Sequence, residues 1–281
     1  NHFVDNPGSM ALSWKRAGIV DEVIAFGHNP ATLQKALDKG AADTVTTSME
    51  EAVKDADIVV SAVPVEAMES VFTEMAPFLK SDAVVTDVGS TRQTVIAAAR
   101  KGLGDKFHQY APAHPIAGGE MPGVDYASAD LFDEKVVIST PDEGMDPKVV
   151  TFIEEAWRKA GARVQAMSPL QHDLTFASVS HLPHVLAYAL VDMIAREENA
   201  QEKLKMAGAG FRDFTRIASS SPVMWRDICL SNREALSHEL KRYRASLDTL
   251  QKYIDESDGK ALESVFENAV RNRRGLVFPG K

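Results

Sequence analysis

Cysteine occurs once in this chain, at Cys229, so an intrachain disulfide is excluded and no cysteine cluster is available to hold zinc. Positive charge is also in short supply: 31 Lys and Arg stand against 40 Asp and Glu, a formal net charge of -9. Nonspecific binding to nucleic acid or to an anionic membrane depends on summed cationic charge, so neither is expected as the main activity. No stretch approaches the roughly 18 apolar residues of a membrane span, and the N-terminus has no basic region followed by an apolar run. With 17 Gly and 13 Pro, collagen-like and low-complexity readings also fall away. These absences predict a cytoplasmic protein without nucleic-acid or membrane partners. What is present is 281 residues, 44% hydrophobic and 25% charged, enough for about two domains at about 150 residues each.

The first half alternates β-rich runs with helical patterns, the signature of a parallel sheet covered on both faces. Strands are expected at Val23 to Phe26, Ile58 to Val63, Ala83 to Val88, Gln109 to Ala113, Val136 to Ser139 and Arg163 to Ala166. Helical patterns lie around Pro30 to Lys39, Glu66 to Phe78, Arg92 to Lys101 and Pro147 to Ala160. The fold class is therefore α/β, a doubly wound Rossmann-like parallel sheet at 1–167, followed by an all-helical domain at 168–281. In the second domain Trp225, Ile228, Leu236, Leu240, Tyr243, Leu247, Leu250 and Ile254 recur mostly at spacings of three or four. One long helix with so wide a stripe favours a homodimer seam over a private core.

Ligands of an open parallel sheet bind beyond the carboxyl ends of its strands, which directs attention to the residues just after each strand. Val63 and Pro64 follow one strand, Gly89-Ser90-Thr91-Arg92 a second, and His114-Pro115-Ile116-Ala117-Gly118-Gly119-Glu120 a third. A Gly-Ser pair opening a helix offers backbone amides and a hydroxyl to a carboxylate, phosphate or alcohol; the ordinary alternative is that Ser90 is an N-cap. His114 suits a general base because imidazole titrates near working pH, the alternative being a histidine satisfied by backbone groups. His181 and His184 share a helical face; no further ligand has compatible spacing, so substrate hydrogen bonding or core packing is favoured over metal. Arg212 and Arg216 stand at i and i+4 beside Phe211, Phe214 and Ile217, where a guanidinium is expected to find a carboxylate partner; the alternative is that one of them is an ordinary surface charge. His172-Asp173 reads as an ion pair near the domain junction, with structural orientation as the alternative.

The ordered set TDVGSTR, PAHPIAGGE, HD, SHLPH and GFRDFTRIA resembles the prephenate dehydrogenase family, which includes arogenate and cyclohexadienyl dehydrogenases. The likeness runs from Gly8 to the C-terminal helices. It implies oxidative decarboxylation of prephenate to 4-hydroxyphenylpyruvate in tyrosine biosynthesis, hydride passing to NAD or NADP, and a homodimer formed through the helical domain. Residue by residue, it implies that His114 helps remove the proton of the ring hydroxyl and that Ser90 contacts the same hydroxyl beside the nicotinamide. Arg216 matches a carboxylate-binding arginine, His181, His184 and Glu120 match other substrate-pocket residues, and Trp225 looks like an aromatic residue near a partner subunit's pocket. Gly8, Ser9, His28, Val63, Pro64, Gly89 and Ser90 fall where the cofactor is bound. No metal is implied.

Two features depart from the family pattern. His2, Val4 and Pro7 stand where the glycines of G-x-G-x-x-G belong, and no acidic residue follows the strand ending Phe26-Gly27-His28-Asn29. The first suggests that a strand and its glycines are missing near Asn6 and Pro7; the second leaves NAD and NADP both open. The ending at Lys281 leaves no appended regulatory domain in view, so feedback control through one is not expected. Rival readings are an arogenate dehydrogenase, a β-hydroxyacid dehydrogenase, which would place a catalytic Lys in the helical domain, and a degenerate nucleotide-binding protein without catalysis.

Overall fold

Side chains alternate between the two faces of a strand, and in the computed structural model, which describes residues 7–117 and 124–276, this alternation feeds two separate apolar layers. Strands β1 (Ile24–Phe26) and β2 (Thr44–Thr46) form a parallel pair. Strands β3 (Ile58–Ser61), β4 (Val84–Asp87), β5 (Tyr110–Ile116), β6 (Val136–Ser139) and β7 (Arg163–Ala166) form a five-stranded sheet in that order. Helices α1 (Pro7–Arg16) and α6 (Pro147–Lys159) cover one face, where Trp157 meets Trp14 and Phe132 edge to face, with centroids 5.5 and 5.0 Å apart. Helix α2 (Pro30–Asp38) lies against β1 and β2. Helices α3 (Met49–Val53), α4 (Met68–Met75) and α5 (Gln93–Leu103) cover the other face, burying Met68, Phe72 and Val95 with Val85 and Tyr110.

The α4–α5 crossing depends on a missing side chain. A Cβ on Gly102 would lie 2.6 Å from Phe72 Cβ and 2.9 Å from both Glu69 O and Thr73 N, all atoms fixed in α4. Gly102→Ala is therefore expected to destabilise the protein by about 1–3 kcal/mol, the overpacking cost exceeding the helix-propensity gain of about 1 kcal/mol. Thermal unfolding of the variant checks this; an unchanged or raised Tm would contradict it.

Three expectations about the sheet are corrected. The strand pair includes Thr44–Thr46, too short to show a period-two pattern in sequence. Strand β6 runs antiparallel to β5, because the described part of their connection contains no α-helix, and a return without a helical crossover reverses direction. Most important, β5 continues past Ala113: Tyr110 to Pro112 face β4, then Ala113 to Ile116 pair with β6. His114 thus lies inside a strand, opposite Ile138, not in a loop.

The second half is helical: α7 (Pro169–Phe176), α8 (Leu182–Ala195), α9 (Ala200–Lys205), α10 (Ala209–Thr215), α11 (Pro222–Ser231), α12 (Arg233–Asp255) and α13 (Gly259–Gly275). A π-helical turn at Ala177–His181 joins α7 to α8 into one helix of 27 residues, which contains an 18-residue window with a mean hydropathy of 1.4. Its length and composition meet the requirement for crossing a bilayer, contrary to the expectation from sequence, because apolar residues interspersed with His, Ser and Thr reach that mean without a continuous run. Here it serves as the spine of the helical domain, with His172, Asp173 and His181 buried in hydrogen bonds to other elements. The expected single striped helix is also corrected: it breaks at buried Asn232, leaving Trp225 and Ile228 on α11 and Leu236 to Ile254 on α12. Leu236 is buried, whereas Leu247 and Ile254 are exposed, together with Val265, Phe266 and Val270 of α13.

Candidate active site at the domain junction

Helix α5 begins immediately beyond the end of β4, and the turn between them is held by a buried carboxylate. Asp87, wholly buried, accepts hydrogen bonds from Gly89 N–H at 2.7 Å, Tyr110 O–H at 2.5 Å and the Arg92 guanidinium at 3.1 and 2.6 Å. Arg92 is equally buried; burial opposes its charge, but Asp87 outweighs burial and keeps it firmly protonated. Burial and the same carboxylate push the Tyr110 hydroxyl well above its ordinary value. Gly89 is obligatory here, since a Cβ would lie 2.7 Å from Arg92 Nη2 and 2.9 Å from Asp87 Oδ2.

Ser90 caps no helix: Arg92 occupies the N-cap of α5 without a side-chain bond. The first amides of α5 are satisfied instead from the other domain. Asp173 Oδ1 accepts Arg92 N–H at 2.8 Å, and Oδ2 accepts Gln93 N–H at 2.9 Å. Burial works against the Asp173 charge, but His172 and these amides hold its carboxyl below the usual range. Thr91 and Thr94 of the same turn bond to the Ser231 hydroxyl and carbonyl at 3.0 and 2.9 Å.

Asp173 also leads to His114. His172 Nδ1 lies 2.9 Å from Asp173 Oδ1, and His172 Nε2 lies 2.8 Å from His114 Nδ1. Phe176 flanks both rings, stacked on His172 at 4.4 Å and tilted against His114 at 5.1 Å. Burial first, then the proximity of His172, Arg92 and His181, pushes His114 well below 6.5. The imidazole is therefore neutral near neutral pH. The register Asp87 opposite Pro112 brings the turn that carries Ser90 beside the part of β5 that carries His114.

The π turn places the remaining residues. His181 is buried, receives Asn232 Nδ2–H on Nδ1 at 3.1 Å, and is held neutral by burial with its pKa lowered to about 4. His184 lies half-buried with Nδ1 donating to Ser180 O at 2.9 Å. Trp225 stacks on His184 of its own chain at 3.6 Å, and its Nε1 is buried without a hydrogen-bond partner among the described residues. Burial lowers the His184 pKa, the Ser180 carbonyl opposes the shift and the charge of Arg216 adds to it; the turn Arg216–Ser219 packs against α8, which carries His184. Arg216 itself is exposed just after α10.

The proposed cofactor residues are more dispersed. Lys15 pairs with Asp43 just before β2, so α1 runs against the strands and begins at their carboxyl edge with Pro7 and Gly8. A Cβ on Gly8 would meet Val124 and Ala127 at 3.1 Å, while Ser9 is buried with its hydroxyl accepting Ser128 N–H at 3.0 Å. The Ser9 side chain is thus engaged inside the fold, leaving its place at the start of α1 as its contribution. His28 is exposed at the end of β1, with Phe26 against its ring, and Val63 and Pro64 follow β3. Glu120, the first residues of the missing-strand expectation and the end of the chain lie outside the described residues. Asp87, Arg92, Tyr110, Phe176 and Asn232 complete the cluster without having been singled out. Asp87 and Arg92 flanked the Gly-Ser pair within TDVGSTR, and Asn232 interrupted the apolar stripe, the two signals that pointed to them.

Known proteins resemble this chain over most of its length. The family model described as "Prephenate dehydrogenase, nucleotide-binding domain" matches residues 10–166, and "Prephenate dehydrogenase, dimerization domain" matches residues 168–268. The chain is 38% identical over 236 residues to cyclohexadienyl dehydrogenase of Zymomonas mobilis, covering 83% of this chain and 80% of that protein. It is 34% identical over 276 residues to prephenate dehydrogenase of Bacillus subtilis, covering 98% and 74%. Prephenate dehydrogenase of Aquifex aeolicus, solved in complex with hydroxyphenyl propionate and NAD+, superimposes with a TM-score of 0.87 at 35% identity, over 95% of this chain and 93% of that one.

Proposed function

Because the chain belongs to the prephenate dehydrogenase family, we propose that it converts prephenate to 4-hydroxyphenylpyruvate and CO2 with NAD as the hydride acceptor, a step of tyrosine biosynthesis. The carrying observation is one continuous cluster across the domain junction. It joins the Ser90 turn and His114 of the sheet domain to His181, Trp225, His184 and Arg216 of the helical domain.

The residues present fit a dinucleotide. The N-terminus of α1, the ends of β1 and β3 and the Gly89-Ser90 turn share the carboxyl edge of parallel strands, and a helix start suits a pyrophosphate. Asn29 Oδ1 caps α2 by accepting Ala31 N–H at 2.9 Å, and the loop 27–29 directly after β1 carries no Arg or Lys, which favours NAD over a 2′-phosphate. When bound, the nicotinamide supplies a hydride acceptor.

The chain's own residues align the substrate and move one proton. His114 takes the proton of the ring hydroxyl as hydride leaves the same carbon. The bond to the ring carboxylate then breaks, CO2 departs, and its electron pair makes the ring aromatic. Atom balance leaves no net proton, so His114 returns the one it removed to the phenol oxygen. Ser90 contacts the same hydroxyl, and Arg216, with His184 beside it, anchors a carboxylate. The exposed apolar residues of α12 and α13 form the seam of a homodimer.

Mixing the protein with prephenate and NAD is expected to raise the absorbance of the reduced nicotinamide. Reduction with arogenate alone would replace the substrate, faster reduction of NADP the cofactor, and no reduction with any pair would overturn the reading. Arg216→Ala is expected to raise KM for prephenate by about 10-fold or more, because the anchor acts before the transition state as well as in it. An unchanged KM would remove Arg216 from the carboxylate site.

A further inference from the structure

The chain from buried Asp173 and His172 to half-buried His114 has more order than alignment of a ring requires. Asp173 has both oxygens turned toward donors: the amides of Arg92 and Gln93 at the start of α5, and Gln93 Nε2 at 3.3 Å. A carboxylate in that setting can only accept, so the proton between it and His172 belongs to His172 Nδ1. His172 is completely buried and is kept neutral chiefly by burial, against the pull of Asp173. A neutral imidazole with its proton on Nδ1 has a lone pair on Nε2, and that nitrogen faces His114 Nδ1 at 2.8 Å. His114 must then donate from Nδ1, which leaves its own lone pair on Nε2.

We infer that His172 and Asp173 are positioning residues that fix the tautomer of His114, keeping Nε2 an acceptor for the substrate proton. Free imidazole of histidine prefers the opposite tautomer, with the proton on Nε2, which would present a donor to the hydroxyl it has to deprotonate. The direction of the chain is set outside the sheet domain, since Asp173 and His172 belong to α7 and His114 to β5. Docking of the helical domain through the start of α5 is thus the same event that orients the base.

The inference rests on the proposed role of His114 in turnover, and its test separates the two. Nitrogen-15 spectra of the imidazole rings report tautomers on the protein alone, with no substrate present. Wild-type His114 is expected in the Nδ1–H form. His172→Gln keeps the direction, because a glutamine can donate to Asp173 and accept from His114, so His114 should stay Nδ1–H and kcat should remain within about 10-fold. His172→Phe keeps the bulk but removes the acceptor; His114 should shift toward Nε2–H, with kcat down about 100-fold or more and KM within a few-fold. Observation of the Nε2–H form in the wild type, equal loss of kcat in both variants, or unchanged kcat in His172→Phe would each overturn the assignment. A wild-type protein that reduced no nicotinamide would instead sink the proposed function, while the spectra still decided the direction of the chain.

Discussion

His114→Asn is expected to lower kcat by about 100-fold or more while leaving the fold intact, the usual contribution of a positioned general base. Asparagine can still donate to His172 from its amide, so the hydrogen bond at this point of β5 survives, but no group remains that can take a proton near neutral pH. The same base sets the pH dependence. Burial, with His172, Arg92 and His181 around the ring, depresses the His114 pKa from 6.5, so the active, neutral form persists on lowering the pH through 6.5 and is lost only further down. The kcat/KM profile should therefore be level around pH 6.5 and fall on the acid side below it, and that acid limb should vanish in the variant. Steady-state rates of nicotinamide reduction across pH test both statements. A variant within a few-fold of wild type, or an acid limb centred at or above 6.5, would remove His114 from the base role.

Arg92→Met should cost about 3–5 kcal/mol of stability, because it leaves the Asp87 carboxylate buried and without its cation. Asp87 would keep only the Gly89 amide and the Tyr110 hydroxyl, too little to offset the loss of water and of a guanidinium at 2.6 Å. The double variant Asp87→Asn, Arg92→Met should recover much of the loss, since an amide oxygen can accept from Gly89 and Tyr110 without carrying charge. Chemical denaturation of the single and double variants measures this coupling. A single-variant loss below about 1 kcal/mol would mean that the ion pair does not hold the turn. The prediction bears on function because that turn presents Ser90 and starts the helix whose amides Asp173 accepts.

The sequence by itself determined the elements whose signal is local. Alternating apolar residues and the helical runs between them specified the order of strands and helices apart from short elements such as β2, and the Gly-Ser pair, the paired histidines and the Arg-bearing segment already contained residues of the proposed site. Local pattern also linked His172 to Asp173, which are neighbours along the chain. What required the tertiary structure was every relation set by long-range pairing. The extension of β5 that takes in His114 exists because β6 supplies hydrogen-bond partners 20-odd residues later, and nothing in residues 110–116 alone specifies it. The break at Asn232 reflects bonds to Asp173 O and His181, distant in sequence. Arg92, which read as one more charge at a helix start, is buried because Asp87 and Tyr110 neutralise and enclose it. Periodicity records which face of an element is apolar; it does not record which buried polar groups will meet. Hydrogen bonds and ion pairs are short-ranged and directional, so the order of protons through Asp173, His172 and His114 was decided only when the two domains packed.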